Sequence, residues 1–396
     1  MQKKRIILLH HVPEQGGGTK SLIDIAVMLQ DEYDVVLCLP KGSGTTVNYA
    51  SQFGIVCTEL KTPIPTINAF SGGPSIISRA FIRGLLNYRK VDSLVEELMS
   101  LNPDVIIMNS LVTSIIAKKI PPSVKIICFI RETLIRSPFT VLLRSIFNKH
   151  IDGVAYIAEH EKRVFNLKNP LQVIIPDVVK PDTVKQYGKS EARVCCKLDQ
   201  DRFYVLYMGG SAKLKGFDTI LSAATNMDSR ACVLILGNID TGRFTIKNAI
   251  MHLHNPGYVG FLLRVKKNLK RLENDPRICM LGYRSDISAL MCASDVIVFP
   301  SSKPHQPRPC IEAGIYGKPV ILSDFEATRE YFMDGYNALV FSPNDGADLA
   351  EKITMLMHDP ALSDELGEHN RLMSAAKHDY YSIQGKTLGF IKEIVQ

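Results

Sequence analysis

The stretch FPSSKPHQPRPCIEAGIYGKPVILSD, Phe299 to Asp324, holds the order strand, loop, helix, strand in one continuous segment. A β-branched run, Asp295 to Pro300, breaks into a loop of Ser, Lys, Pro, His and Arg. Pro309 suits a first helical turn, where its missing N–H is one that the helix start leaves unpaired anyway. Gly317 then stops the helix, and Pro319 to Ser323 reads as the next strand. A helix start favours anions, because its free N–H groups and dipole point outward. Arg308, just before Pro309, can hold a phosphate through paired contacts. Glu312 lies inside the apolar turn CIEAGI. If buried it needs a partner, and a ribose diol would serve; otherwise it is a surface glutamate favoured by the helix dipole.

Outward from this stretch the same alternation recurs along both halves of the chain. In the first half the strand-like runs are RIILLH, DVVLCLP, GIVCTEL, DVIIMNS, VKIICFI, GVAYIA and LQVIIPD. In the second they are YVLYMGG, CVLILG, ICMLG, DVIVFP, KPVILSD and ALVFSP. Continuous apolar runs suit strands buried on both faces of a parallel sheet. Helical patterns lie between them; Leu22, Ile25, Ala26 and Leu29 make one apolar stripe. Two rounds of βαβ alternation predict two α/β domains, as does a length of 396 residues. The polar stretch Lys180 to Arg202 separates them, giving domains at 1–190 and 200–379. The tail, 380–396, reads as a helix packed back on the first domain.

Composition narrows the function classes. The net charge of +7 favours anionic partners. The nine cysteines are scattered with no CxxC pair, so neither a zinc site nor a disulfide framework is expected, and a reducing cytoplasm fits. The apolar run Ile6 to Leu9 is too short for a signal-peptide core, and no run approaches a membrane span. Tryptophan is absent, against a sugar-stacking binding module. The Asp199-Gln200-Asp201 triplet precedes a strand rather than following one, and reads as a solvated turn rather than a metal site.

Two glycine loops follow strands. In HHVPEQGGGTKSL, Gly17 and Gly18 open a helix; the spacing fits neither GxGxxG nor a Walker loop, and the plain alternative is a flexible turn. In YVLYMGGSAKLKGF, Gly209 and Gly210 are followed by Lys213 and Lys215, placed to neutralise a diphosphate or else simply solvated.

Together, GGSAKLKGFDTILSA, LGYRSDISALMCASDVIVFPS and the run from Arg308 to Asp345 resemble the C-terminal domain of glycosyltransferase family 4, part of glycosyl transferases group 1. The resemblance implies two Rossmann-like domains facing across a cleft (the GT-B fold), each with a mainly parallel sheet. It implies a retaining, metal-independent transferase with no cofactor and a nucleotide sugar, a UDP- or GDP-sugar, as donor. By the resemblance Lys215 holds the donor diphosphate and Glu312 the ribose. Gly17 and Gly18 lie near sugar and phosphate, and the backbone at Tyr283 and Arg284 reads the base. Gly209, Gly210, Lys213 and Pro309 complete the expected donor site, with Lys215, Glu312, Arg308 and His305 expected to act in catalysis.

Several positions depart from the family pattern. The first glutamate of the pair is Pro304, with His305 beside it, and the usual arginine before Lys215 is Gly210. Arg308, Lys213 or Arg284 is left to supply the missing cation. The histidine of the first domain is replaced in CFIRETL by Arg131 or Glu132, and the usual Gly-Gly after the last motif strand is Glu326-Ala327.

The acceptor expected by analogy is a glycan or a lipid-linked sugar in polysaccharide or glycoconjugate synthesis. Two alternatives stand beside it: an inactive sugar-nucleotide-binding subunit and a GT-B-type epimerase. Three basic-apolar stretches, IISRAFIRGLLNYRK, IRSPFTVLLRSIFNKH and YVGFLLRVKKNLKRL, suggest peripheral attachment to an anionic membrane surface. The last of these reads equally as a domain helix with its apolar face packed inward. No nucleic-acid-binding signature is present.

Overall fold

The computed structural model describes residues 3–13, 16–67, 79–134, 138–179, 185–253 and 255–396. The chain forms two compact units: Met1–Val178 with Tyr380–Gln396, and Val179–Asp379. The first holds a seven-stranded sheet of β1 (Arg5–Leu9), β2 (Asp34–Pro40), β3 (Val56–Leu60), β4 (Val105–Met108), β5 (Lys125–Ile130), β6 (Gly153–Tyr156) and β7 (Leu171–Ile174). The second holds six strands: β8 (Phe203–Tyr207), β9 (Ala231–Leu236), β10 (Ile278–Gly282), β11 (Val296–Phe299), β12 (Val320–Ser323) and β13 (Leu339–Phe341). Each falls within one of the apolar runs read from the sequence, except that β8 and β9 begin one residue earlier, at Phe203 and Ala231.

All pairings are parallel, in the orders β3-β2-β1-β4-β5-β6-β7 and β10-β9-β8-β11-β12-β13. In both sheets the order reverses beside the first strand, between β1 and β4 and between β8 and β11. This is the doubly wound arrangement, whose ligands bind outside the carboxyl ends of the strands at the reversal. The apolar runs are continuous because both faces are covered: Ile7 and Leu9 pack on one side of the first sheet, Ile6 and Leu8 on the other.

The C-terminal helix Tyr380–Val395 completes the first unit. Ile383, Phe390, Ile391 and Ile394 enter the same core as Leu22, Ile25, Ala26 and Leu29 of helix Gly17–Leu29. Lys4 Nζ donates to the Val395 carbonyl at 2.6 Å.

The unit boundary at Val178–Val179 precedes the polar stretch that had suggested it. Residues 180–184 of that stretch lie outside the described residues, and helix Lys189–Cys196 belongs to the second unit. Its polar composition hides a buried ion pair. Arg193 Nη2 meets Asp295 Oδ2 at 2.7 Å, and the same carboxylate oxygen accepts from the Tyr204 N–H at 2.6 Å. Arg193 thereby joins the helix to the ends of β8 and β11.

Removing one partner leaves the other charged and buried, which costs about 3–5 kcal/mol. Asp295→Ala is therefore expected to lower the stability of the second unit by roughly 3 kcal/mol in urea unfolding. A loss below about 1 kcal/mol would mean that the helix is not part of that unit's fold.

Candidate functional site

The site in the second unit grows from the two strands at the reversal. The loop after β8, Gly209 to Gly216, and the loop after β11, Pro300 to Pro307, are stitched together. The Ser302 N–H donates to the Leu214 carbonyl and its hydroxyl to the Lys213 carbonyl, both at 2.9 Å. Gly216 has φ +76°, and a Cβ there would overlap the Pro300 carbonyl oxygen. A side chain would therefore force the two loops apart.

Lys215 ends up against the residue that closes β11. Its ammonium lies 4.9 Å from the centre of the Phe299 ring. The His305 ring stacks on Phe299 too, with centroids 5.9 Å apart and planes 14° from parallel. Burial lowers the Lys215 pKa from 10.5 to about 8. Among the described residues no carboxylate pairs with it. Burial, and then the Lys215 charge, hold His305 well below its usual pKa. His305 is thus neutral near pH 7 and does not supply the missing cation.

The other expected cations are occupied. Lys213 Nζ donates to the Gly257 carbonyl. Arg284 Nε donates to Asp286 Oδ1 at 2.8 Å, while neighbouring Tyr283 is 80% exposed. Arg308 Nε contacts Glu312 Oε1 at 2.9 Å, one turn along helix Arg308–Ile315. Pro309 lies in that helix's first turn, and the Cys310 N–H returns to the Pro307 carbonyl at 2.8 Å. Lys215, His305, Arg308 and Glu312 are thus carried by two adjoining loops and the helix that follows them.

Gly209 and Gly210 serve the fold. Gly210 has φ +53°, and a Cβ there would run into the Asn238 carbonyl. No longer side chain fits this position, which accounts for the absence of an arginine. A guanidinium stands next to it all the same. Arg243 Nη2 donates to the Ser211 hydroxyl at 2.7 Å and to its carbonyl, while buried Arg243 Nε has no hydrogen-bond partner among the described residues. Sequence reading missed Arg243 because it lies in an irregular segment after β9, with no motif around it.

The first unit offers a matching arrangement after β1 and β4. Gly17 and Gly18 begin helix Gly17–Leu29, and a Cβ on either would meet nothing within 4 Å. Their smallness leaves open space rather than satisfying packing. Asn109 Nδ2 donates to the Gly18 carbonyl at 3.1 Å and lies 3.3 Å from His10 Nδ1. His10 Nε2 is 3.2 Å from the Thr19 hydroxyl, and burial lowers the His10 pKa to about 3. After β5, Arg131 pairs with buried Asp177 at 3.1 Å, and the Ser110 hydroxyl donates to Glu132. Burial raises the Glu132 pKa. Glu14 and Gln15 of the glycine loop lie outside the described residues.

The Asp199-Gln200-Asp201 triplet is a turn in which Asp199 Oδ1 accepts from the Asp201 N–H at 3.0 Å.

Comparison with known proteins bears on both units. Residues 189–373 match the family described as Glycosyl transferases group 1. A Campylobacter jejuni N,N'-diacetylbacillosaminyl-diphospho-undecaprenol alpha-1,3-N-acetylgalactosaminyltransferase is 31% identical over 123 residues, 31% of this chain and 32% of that protein. The Staphylococcus aureus capsular polysaccharide biosynthesis glycosyltransferase CapM is 22% identical over 44% of this chain and 42% of its own. The chain thus spans about a third to a half of these curated relatives. The crystal structure of Anabaena Alr3699/HepE with UDP and glucose superposes with a TM-score of 0.76 at 19% identity, over 99% of this chain and 100% of that one. Likeness on that scale establishes the GT-B fold for the chain.

The unpaired ammonium has a thermodynamic signature. Folding lowers the Lys215 pKa, so the unfolded chain binds the extra proton between about pH 8 and 10.5. Stability therefore rises with pH in that window, and the desolvation penalty is fully present below it. Lys215→Met is expected to raise the unfolding midpoint at pH 7, with the gain shrinking toward pH 10.5. A lower midpoint at pH 7 would show that the ammonium is satisfied rather than stranded.

Proposed function

We propose, from the match of residues 189–373 to the family described as Glycosyl transferases group 1, that the protein is a retaining glycosyltransferase using a UDP- or GDP-sugar. The observation that carries this reading is Lys215: a desolvated ammonium that no carboxylate among the described residues pairs with, at the strand reversal where doubly wound sheets bind ligands. A diphosphate supplies the missing counter-charge. As the bond from the anomeric carbon to the diphosphate breaks, negative charge grows on the leaving oxygen. Lys215 stabilises that charge most where water is excluded. Arg243, anchored to Ser211 on the same loop, is placed to share the task. Glu312, oriented by Arg308, takes the ribose hydroxyls.

The acceptor in this reading is a glycan or lipid-linked sugar. The Campylobacter relative's name puts its acceptor on a diphospho-undecaprenol carrier, and the CapM name refers to capsular polysaccharide. A membrane-bound acceptor also suits the surface of the first unit. Helices Arg79–Leu86 and Pro138–His150 touch through Phe81 and Phe139, whose ring centroids lie 5.4 Å apart. Beside this contact Ile82, Leu85, Leu86, Val141 and Leu142 are exposed, with Arg83, Arg89 and Lys90 nearby. Residues 76–78 and 135–137, which begin these two stretches in the sequence, lie outside the described residues. The third basic stretch is different. Helix Pro256–Arg271 buries Phe261, Leu262 and Val265 in the core of the second unit, so its apolar face is not free for lipid. No helix among the described residues is long and apolar enough to cross a membrane.

Thermal unfolding with UDP, GDP, CDP, ADP and dTDP tests the donor site. A ligand present at about 100 times its Kd adds about 2.7 kcal/mol to the folded state. One diphosphate is expected to raise the midpoint in wild type, with the gain lost in Lys215→Ala. No shift at millimolar concentration would sink the reading. Consumption of the matching sugar nucleotide without any acceptor would instead identify an epimerase, and binding without turnover on any acceptor an inactive subunit.

Vesicle sedimentation tests the surface. Binding to phosphatidylglycerol vesicles is expected to fall several-fold in Val141→Glu and to weaken as salt screens the basic residues. Equal binding by the variant would remove that surface from the proposal.

A further inference from the structure

The two stitched loops carry Lys213 and Lys303 besides Lys215. Lys215 faces the Phe299 ring, whereas Lys213 turns to helix Pro256–Arg271, where its Nζ donates to the Gly257 carbonyl. A carbonyl satisfies one N–H of the ammonium and none of its charge. Ser302, fastened to the Lys213 and Leu214 carbonyls, sets exposed Lys303 next in the chain at the same place. The third cation comes from the helix itself. Arg264 folds back toward the helix start, so that its Nη1 lies 3.2 Å from where a Cβ on Gly260 would be. Lys213 Nζ lies 3.5 Å from where a Cβ on Gly257 would be. Two glycines three residues apart thus let two cationic heads lie flat on one helix face, about 5 Å apart along its axis. The carboxylate among these cations is Asp218. Its Oδ2 accepts from Arg264 Nε at 2.9 Å and from Nη2 at 2.7 Å, which uses one edge of the guanidinium. The other edge, Nη1 with the second N–H of Nη2, has no hydrogen-bond partner among the described residues, and the side chain is 58% exposed.

We propose that Lys213, Arg264 and Lys303 form a second anion site, separate from Lys215, that takes a phosphate or diphosphate group. Charge selects the ligand. One carboxylate against three cations leaves two positive charges, which a phosphate group matches and a single carboxylate does not. The geometry agrees, because the free edge of a guanidinium pairs with two phosphate oxygens and lysines add charge without demanding a direction. Unliganded, the cluster works against itself. Burial and the charges of Arg264 and Lys303 lower the Lys213 pKa, with Asp218 opposing them. A bound anion relieves that repulsion. Access is open, since Gly257, Arg264 and Lys303 are all exposed. The site stands on these side chains and does not rest on the donor-site reading. A phosphate group reaches it from one of two sources: the free ion, or an ester such as a lipid-linked diphosphate.

The experiment is calorimetric titration of the full chain with inorganic pyrophosphate. It uses Lys215→Ala, which lacks the donor-site ammonium, and the same variant with Lys213→Gln, Lys303→Glu or Lys266→Gln added. Lys215→Ala is expected to bind pyrophosphate, and Lys213→Gln and Lys303→Glu each to weaken that binding about tenfold. Lys266, exposed on the same helix, reports diffuse charge, and its variant is expected to bind as Lys215→Ala does. Removing a repelled cation is expected to leave the unfolding midpoint unchanged or higher, so a lost affinity is not a lost fold. Geranyl diphosphate identifies the source: tighter binding than pyrophosphate marks a lipid-linked diphosphate, and equal binding the free ion. No pyrophosphate binding by Lys215→Ala, undiminished binding with Lys303→Glu added, or an equal loss with Lys266→Gln added would each overturn the assignment. So would a nucleoside diphosphate that raises the midpoint of wild type but not of Lys303→Glu alone, because the cluster would then belong to the donor site. A chain that binds pyrophosphate through Lys303 and no nucleoside diphosphate would keep this site and bring down the donor-site reading alone.

Discussion

The contact between Gly216 and the Pro300 carbonyl sets the geometry of the second unit's site. Parallel strands whose order reverses leave their two following loops diverging from neighbouring edges. The loops after β8 and β11 come back together because Gly216 has no side chain and adopts φ +76°. Ser302 then fastens the second loop to the first at two points. Everything of chemical interest rides on this seam: Lys215 from one loop, Phe299, His305 and Gln306 from the other, and the helix carrying Arg308 and Glu312 behind them.

Electrostatics at the seam is a matter of which charge has been left alone. Lys213, Arg284, Arg308 and Arg264 each meet an oxygen of the chain itself. Lys215 sits over the Phe299 ring, on which the neutral His305 also stacks, and neither cancels its charge. A group in that position weakens the unliganded fold and strengthens anion binding by the same mechanism. His305 follows from Lys215, since a second cation beside the first would raise the penalty further.

The first unit repeats the topology with different side chains. At its reversal Asn109, His10 and Thr19 tie the ends of β1 and β4 to the start of the glycine helix, through neutral groups. Burial keeps His10 uncharged, and the open space at Gly17 and Gly18 is unclaimed by packing. The charged groups stand farther along the sheet, where Arg131 is paired with Asp177 and burial pushes the Glu132 carboxyl up from its usual pKa. The cationic end of the chemistry therefore belongs to the second unit.

Much of this was legible in the residue order, for local reasons. Strands buried on both faces must be apolar throughout, so those among the described residues appear as runs such as RIILL and DVIVFP. Helix starts after strands carry their own marks in Pro309 and in the glycines at 17 and 18. Lys215, Glu312, Arg308 and His305 stood out because they lie in the motifs that follow β8 and β11. What stayed hidden depends on partners distant in the chain. Helix Lys189–Cys196 looked like linker because the partner that holds Arg193, Asp295, is 102 residues away. Arg243 reaches Ser211 across 32 residues, and Gly210 excludes a side chain because of Asn238, not because of any neighbour in sequence. Gln306 was indistinguishable from a loop glutamine until folding showed both ends of its amide buried. Periodicity and caps are written into short stretches because backbone hydrogen bonding is local or regular. Whether a charge is answered or an amide satisfied depends on what the fold brings beside it, and only the tertiary structure decided that.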